Sequence, residues 1–124
     1  MTAYNFNTWL VPVPGPEVDQ KPTVVLVNWR VMQLPGGECN LVGIDEATGF
    51  GRVSTAVWHI EHASLRAMTI SGRVYYLRGP SGQDAIGIQV WQVVMHGIGV
   101  DPDACKDLTD DPAAWPRVDE GRAT

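Results

Sequence analysis

Apolar and polar residues alternate with period two over much of the stretch 23–78, the spacing of half-buried strands. The clearest unit is a pair of strand-like runs, 65–70 and 73–78, meeting at Ser71-Gly72. A two-residue connection with glycine second predicts a type I′ turn, because glycine accepts positive φ and the turn's twist matches that of the strands. That register sets Ile70 opposite Arg73, Met68 opposite Tyr75 and Arg66 opposite Leu77. The other face then carries Thr69 with Val74, Ala67 with Tyr76 and Leu65 with Arg78. Both faces come out mixed, so the pattern expects a helix over one and another sheet layer over the other.

In residues 23–34 the recurrence of Val25, Val27, Trp29 and Val31 assigns that set to the core. Pro35-Gly36-Gly37 reads as a turn into a second strand over 38–44, in a hairpin whose loop is slightly longer than the minimum. Residues 45–51 form a loop, and 52–61 a third strand. Residues 84–96 satisfy both periods. Their β-branched content favours a strand. Their length, with Ser81 or Asp84 as N-cap and Gly97 at the end, favours a helix, and helix is the reading adopted. It would cover one mixed face of the hairpin. The pattern predicts an α+β fold: a small antiparallel, strongly bent sheet or partial barrel of four or five strands with one C-terminal helix. Prolines at 12, 14, 16 and 22 mark residues 1–22 as an extended arm. Residues 23–100 form the single domain, and 101–124 a flexible or loosely docked acidic tail in which Trp115 is the only large aromatic.

The chain has 124 residues, a length for one domain, and a net charge of −5 that is unevenly placed. Residues 101–124 hold Asp101, Asp103, Asp107, Asp110, Asp111, Asp119 and Glu120 against Lys106, Arg117 and Arg122. Over 23–100 the charges balance, and every base there is arginine. Arginine suits carboxylate and phosphate partners, although strand arginines also lie over apolar neighbours with a solvated head. No apolar run is long enough to span a bilayer, so no membrane partner is expected. No basic residue precedes Lys21, so no secretory signal is read and a cytoplasmic location is expected. Cys39 and Cys105 have no CxxC spacing and read as two free thiols.

Candidate chemistry is sparse. His59-Ile60-Glu61-His62 lies where a strand ends and lacks the order of a zinc protease motif, so it is read as structural histidines. Ser54, Ser64, Ser71 and Ser81 lack the nucleophile-elbow context. Cys39 would need His59 or His62 brought to it. Gly79-Pro80-Ser81-Gly82 is no phosphate loop. No catalytic residue, metal ligand or cofactor is assigned.

The aromatics Trp29, Trp58, Tyr75 and Tyr76 share the central strands with Arg30, Arg52, Arg66, Arg73 and Arg78. From this set Trp29, Arg30, Arg52, Trp58, Arg73, Tyr75, Tyr76 and Arg78 are taken as the candidate binding residues. Single-strand binders of the OB type stack bases on such aromatics, but the acidic balance opposes nucleic acid. The runs NWRVMQLPGGECNLVGID, GRVST and TISGRVYYLRGPSGQDA, with a later VW, resemble small bacterial proteins over roughly the middle half of the chain. That resemblance supports the domain limits and implies no functional residue. The sequence therefore points to a non-enzymatic protein-interaction or regulatory module, its partner an unidentified protein or a second copy. A single-stranded nucleic-acid binder is the alternative, and an enzyme built on His59, His62, Cys39 or Glu61 the third reading.

Overall fold

The longest strand, β1 (Thr23–Gln33), bonds to three others and ties the molecule together. The computed structural model describes residues 22–118, so all but the last residue of the expected N-terminal arm lies outside the described residues. After β1 come β2 (Cys39–Asp45), β3 (Gly51–Val53), β4 (Val57–Glu61), β5 (Arg66–Thr69) and β6 (Val74–Leu77). Helix α1 (Ala85–Gly97) and a short β7 (Lys106–Asp107) complete the regular elements, with 3-10 turns at Pro102–Ala104 and Pro112–Ala114. β1, β2, β4, β5 and β6 pair in chain order and β6 returns to β1, closing a five-stranded barrel. An odd number of up-and-down strands must close with a parallel pair, and β6 runs parallel to β1. The sheet is therefore mixed and closed, where the sequence predicted an antiparallel, partial barrel.

The alternation in β1 changes phase at Asn28. Val24 and Leu26 are buried before it, Trp29 and Val31 after it, while Val25 and Val27 are only half-buried. The β1–β2 register slips between Val27 and Arg30, and Asn28 takes φ 50°. Asparagine tolerates that left-handed conformation, and the extra residue is a β-bulge. A strict period-two reading across 25–31 fails because the bulge inserts one residue. Gly43 sits opposite it. A Cβ there would lie 2.8 Å from the Val27 carbonyl oxygen and 3.1 Å from Trp29 Cα.

The β5–β6 hairpin also differs from expectation by one residue. Arg66 pairs with Tyr76, Ala67 with Tyr75 and Met68 with Val74. The loop holds three residues, Ile70-Ser71-Gly72, rather than two. The Thr69 amide donates to the Arg73 carbonyl at 3.2 Å, the Gly72 amide donates to Thr69, and Gly72 has φ 94°. This is a tight turn followed by a left-handed residue, the common three-residue closure. The β1–β2 loop 35–37 closes in the same way, with Gly37 at φ 103°. A one-residue slip re-pairs every side chain. In the observed register Ala67, Thr69, Tyr75 and Leu77 face the barrel interior, and Arg66, Met68, Val74 and Tyr76 face outward. The mixed faces expected from the sequence resolve into one apolar and one outer face, and no second layer over each is needed.

Helix α1 forms where expected. The Asp84 side chain accepts from the Ile86 amide as N-cap. The left-handed glycine that closes the helix is Gly99, two residues beyond the predicted Gly97. Ile98 is the C-cap, Gly99 has φ 78°, and the Val100 amide donates to Met95 at 2.8 Å, a Schellman closure. Its buried side carries Gly87, Val90, Trp91 and Met95. It packs on β2 and β3, with Leu34 and Val42 in the shared cluster, and leaves the β5–β6 hairpin uncovered.

The described part of the acidic segment is docked, contrary to the loose tail expected from residue 101. β7 pairs with β1, and the Leu108 amide donates to the Val31 carbonyl. The Thr109 hydroxyl accepts from the Val31 amide at 3.0 Å. The Ile60 amide donates to Pro116, so residues 108–116 cross from β1 to β4. Leu108 and Trp115 join the barrel core there. Trp115 is 5% exposed and stands edge-on to Trp29 at 6.0 Å, with Nε1 donating to the Leu108 carbonyl. Acidic composition hid this docking because a single buried tryptophan and a few main-chain bonds anchor the segment.

Candidate functional site

The barrel sorts the eight candidate residues into three groups: inside, tied down at the surface, and open on the outer face. Trp29 turns inward, its Nε1 donating to the Gly79 carbonyl at 3.0 Å. Tyr75 is also inside. Its hydroxyl accepts from Arg52 Nε at 3.1 Å, and Arg52 lies 3.6 Å from the Asp45 carboxylate. Arg52, Asp45 and Arg73 are buried. Asp45 also accepts from the Ala47 amide and anchors the turn 45–50, so a loop acid in the sequence proves to be an interior charge. This cluster is built into the structure: buried charges need partners, and these have them.

Arg30 and Arg78 are tied down at the surface. Arg30 Nε donates to Asp107 at 2.7 Å, and Arg78 pairs with Glu46 at 2.9 Å. Burial alone would raise the Asp107 carboxyl, but hydrogen bonds from the Thr109 hydroxyl and amide, with the Arg30 guanidinium, outweigh it and hold the group below its ordinary 3.8. A carboxyl lowered on folding adds stability that is present above its unfolded pKa and lost as the pH falls through the folded value. Asp107→Asn should therefore lower stability at neutral pH and flatten its decline on acidification below about pH 4. Urea midpoints measured across that range check this, and an unchanged acid limb would show that Asp107 does not contribute.

Trp58 and Tyr76 remain outside. β4 carries a bulge between Val57 and His59, which inserts Trp58 beside the outer face. Its ring is pinned by Nε1 donating to the Thr69 carbonyl at 3.2 Å and lies 5.9 Å from the His59 ring. It is 48% exposed, Tyr76 is 41% exposed, and Ile70 in the neighbouring loop is 70% exposed. Met68 and Val74, cross-strand partners between them, are half-buried. One row of the ladder reads Glu61, Arg66, Tyr76 across β4, β5 and β6. No described element packs on the outer side of β5 or β6. The sequence carried the two aromatics but not their company. Arg66 and Met68 join Tyr76 and Val74 only in the observed register.

Beside this face lies an open groove of about 600 Å³ between β4 and residues 112–118, lined by His59, Glu61, His62, Trp115 and Arg117. His59 Nδ1 accepts from the Val118 amide, and the His62 ring stands edge-on to Trp115 at 5.3 Å, so both histidines hold the docked segment. Among the described residues no three His, Cys, Asp or Glu side chains are grouped as a metal would require. Cys39 and Cys105 are unpaired thiols. Burial and then Glu38 push the Cys39 thiol up, away from the thiolate that a nucleophile needs. The Ser54 hydroxyl is used between the Leu41 amide and the Thr55 carbonyl, Ser71 braces the hairpin turn, and Ser64 donates to Glu61.

No helix among the described residues is long and apolar enough to cross a membrane. Comparison with protein-family models, curated proteins and solved structures finds no match.

Proposed function

We propose that the domain is a non-enzymatic protein-interaction module that docks its partner on the outer face of β4, β5 and β6. The observation that carries this is the pair of half-exposed aromatics, Trp58 and Tyr76, presented on that face beside Arg66. Tryptophan, tyrosine and arginine dominate binding hot spots. Trp58 is held by a hydrogen bond to β5, so little of its freedom remains to be lost on binding. The nucleic-acid alternative has less support. Trp29, Tyr75, Arg52 and Arg73 are buried, the strands follow chain order rather than the Greek-key order of an OB barrel, and the chain is acidic.

The test is capture from the native cell extract by the tagged chain and by a Trp58→Ser/Tyr76→Ser variant whose circular dichroism matches the parent. A protein retained by the parent and lost by the variant is the expected result. Equal retention by both, or salt-dependent binding of a labelled oligonucleotide abolished by the same two changes, would overturn the reading.

A further inference from the structure

We infer that the occupant of this face is a second copy of the chain, packed about a twofold axis running between β4 and β5. The inference rests on the docking role proposed for the face. Its first support is Arg66. Among the described residues its guanidinium has no ion pair or hydrogen bond, and its Nε is shut from solvent without an acceptor. Glu61 stands opposite it in the ladder and, among the described residues, makes only the bond from Ser64. The face thus carries one cation and one anion on adjacent strands, neither neutralised by the other.

A twofold contact is self-complementary: whatever residue i of one copy meets, its equivalent in the other copy meets in return. With the axis between β4 and β5, β4 of each copy lies over β5 of the other. Glu61 of each then meets Arg66 of the other, giving two reciprocal ion pairs. Trp58 and His59 of each copy, beside Met68 in the ladder, meet Met68 of the other. The second support is the placement of like charge. β7 pairs with β1 and the 3-10 turn at Pro102–Ala104 packs on α1, so Asp101, Asp103 and Asp107 sit on the β1–β2 side of the ring. β5 lies across the ring, separated from β1 by β6 and from β2 by β4. Two copies can join through β4 and β5 while these three carboxylates of each stay away from the contact, which limits the repulsion that opposes self-association.

The test is light scattering on the full chain, on Arg66→Glu, on Glu61→Arg, and on an equal mixture of the two variants. The parent should be a dimer. Each variant alone sets like charges opposite each other twice and should weaken the dimer by about tenfold or more. The mixture should regain a heterodimer, because each copy then supplies the charges that the other lacks. The double variant Arg66→Glu/Glu61→Arg should dimerise by itself, and it serves if either single variant fails to fold. A monomeric parent overturns the inference, as does a dimer indifferent to both variants or a mixture that stays monomeric. The docking role is decided separately, since a monomeric parent can still retain a foreign protein through Trp58 and Tyr76.

Discussion

Trp115→Ala should cost about 3–5 kcal/mol, the range for deleting a large buried aromatic. A chain ending at Val100 should fail to fold cooperatively. Trp115 fills the barrel end between Trp29 and His62, and its indole N–H is satisfied by the Leu108 carbonyl. The alanine variant leaves that void and an unpaired carbonyl. The truncation removes more: the buried Leu108, the Thr109 hydroxyl that serves the Val31 amide, and the Pro116 carbonyl that serves Ile60. A domain of this size has about 5–15 kcal/mol in total, so the losses together approach all of it. For the point variant, thermal unfolding should fall by well over about 10 °C. For the truncation, near-ultraviolet circular dichroism should collapse. A truncated chain that keeps a sharp transition would show that the segment is an appendage.

Gly43→Ala should destabilise the domain by about 1–3 kcal/mol, the cost of overpacking a tight site. The new methyl would lie 2.9 Å from Leu26 Cγ, 2.8 Å from the Val27 carbonyl oxygen and 3.1 Å from Trp29 Cα. The leucine side chain can turn away, but the other two atoms are main chain on either side of the Asn28 bulge. Relief therefore requires moving the bulge, and with it the placement of Trp29. Helix α1 also crosses here: a Cβ on Gly87 would stand 3.7 Å from Gly43 Cα, so retreat toward the helix is limited. Urea unfolding followed by tryptophan fluorescence measures the loss. A change within about 0.5 kcal/mol, the range of an ordinary surface substitution, would show that the bulge yields freely.

The sequence made the elements legible and misplaced their connections. Strands at 23–34, 38–44 and 65–78 and a helix over 84–96 follow from periodicity and caps, and the structure contains them. The register errors fall where one residue is inserted, while the single strand expected over 52–61 is broken into β3 and β4. Asn28 reverses the inward set of β1, Trp58 is added at the β4 bulge, and a three-residue loop replaces the expected two at Gly72. A period-two pattern does not reveal such an insertion, because the residues on either side alternate correctly. Glycine at 72 satisfies either turn, so local chemistry did not separate the registers. The candidate site suffered for the same reason: the eight residues were chosen as strand aromatics and arginines, and only Trp58 and Tyr76 lie on the open face. Trp115 was visible as a lone tryptophan in an acidic stretch, but its destination depended on where the barrel opens.

β1 has a further consequence for the order of events in folding. It pairs with β2 a few residues away, with β6 some fifty residues on, and with β7 beyond the helix. The β1–β2 and β5–β6 hairpins are local and can form early. Ring closure must bring together segments some fifty residues apart, losing loop entropy before any contact offsets it. During synthesis the barrel cannot be capped until the residues through Trp115 have emerged, and it cannot close before β6 has. Until then the inner faces of β4, β5 and β6 lie open to water, so the growing chain passes through a stage in which its future core is its most adhesive surface.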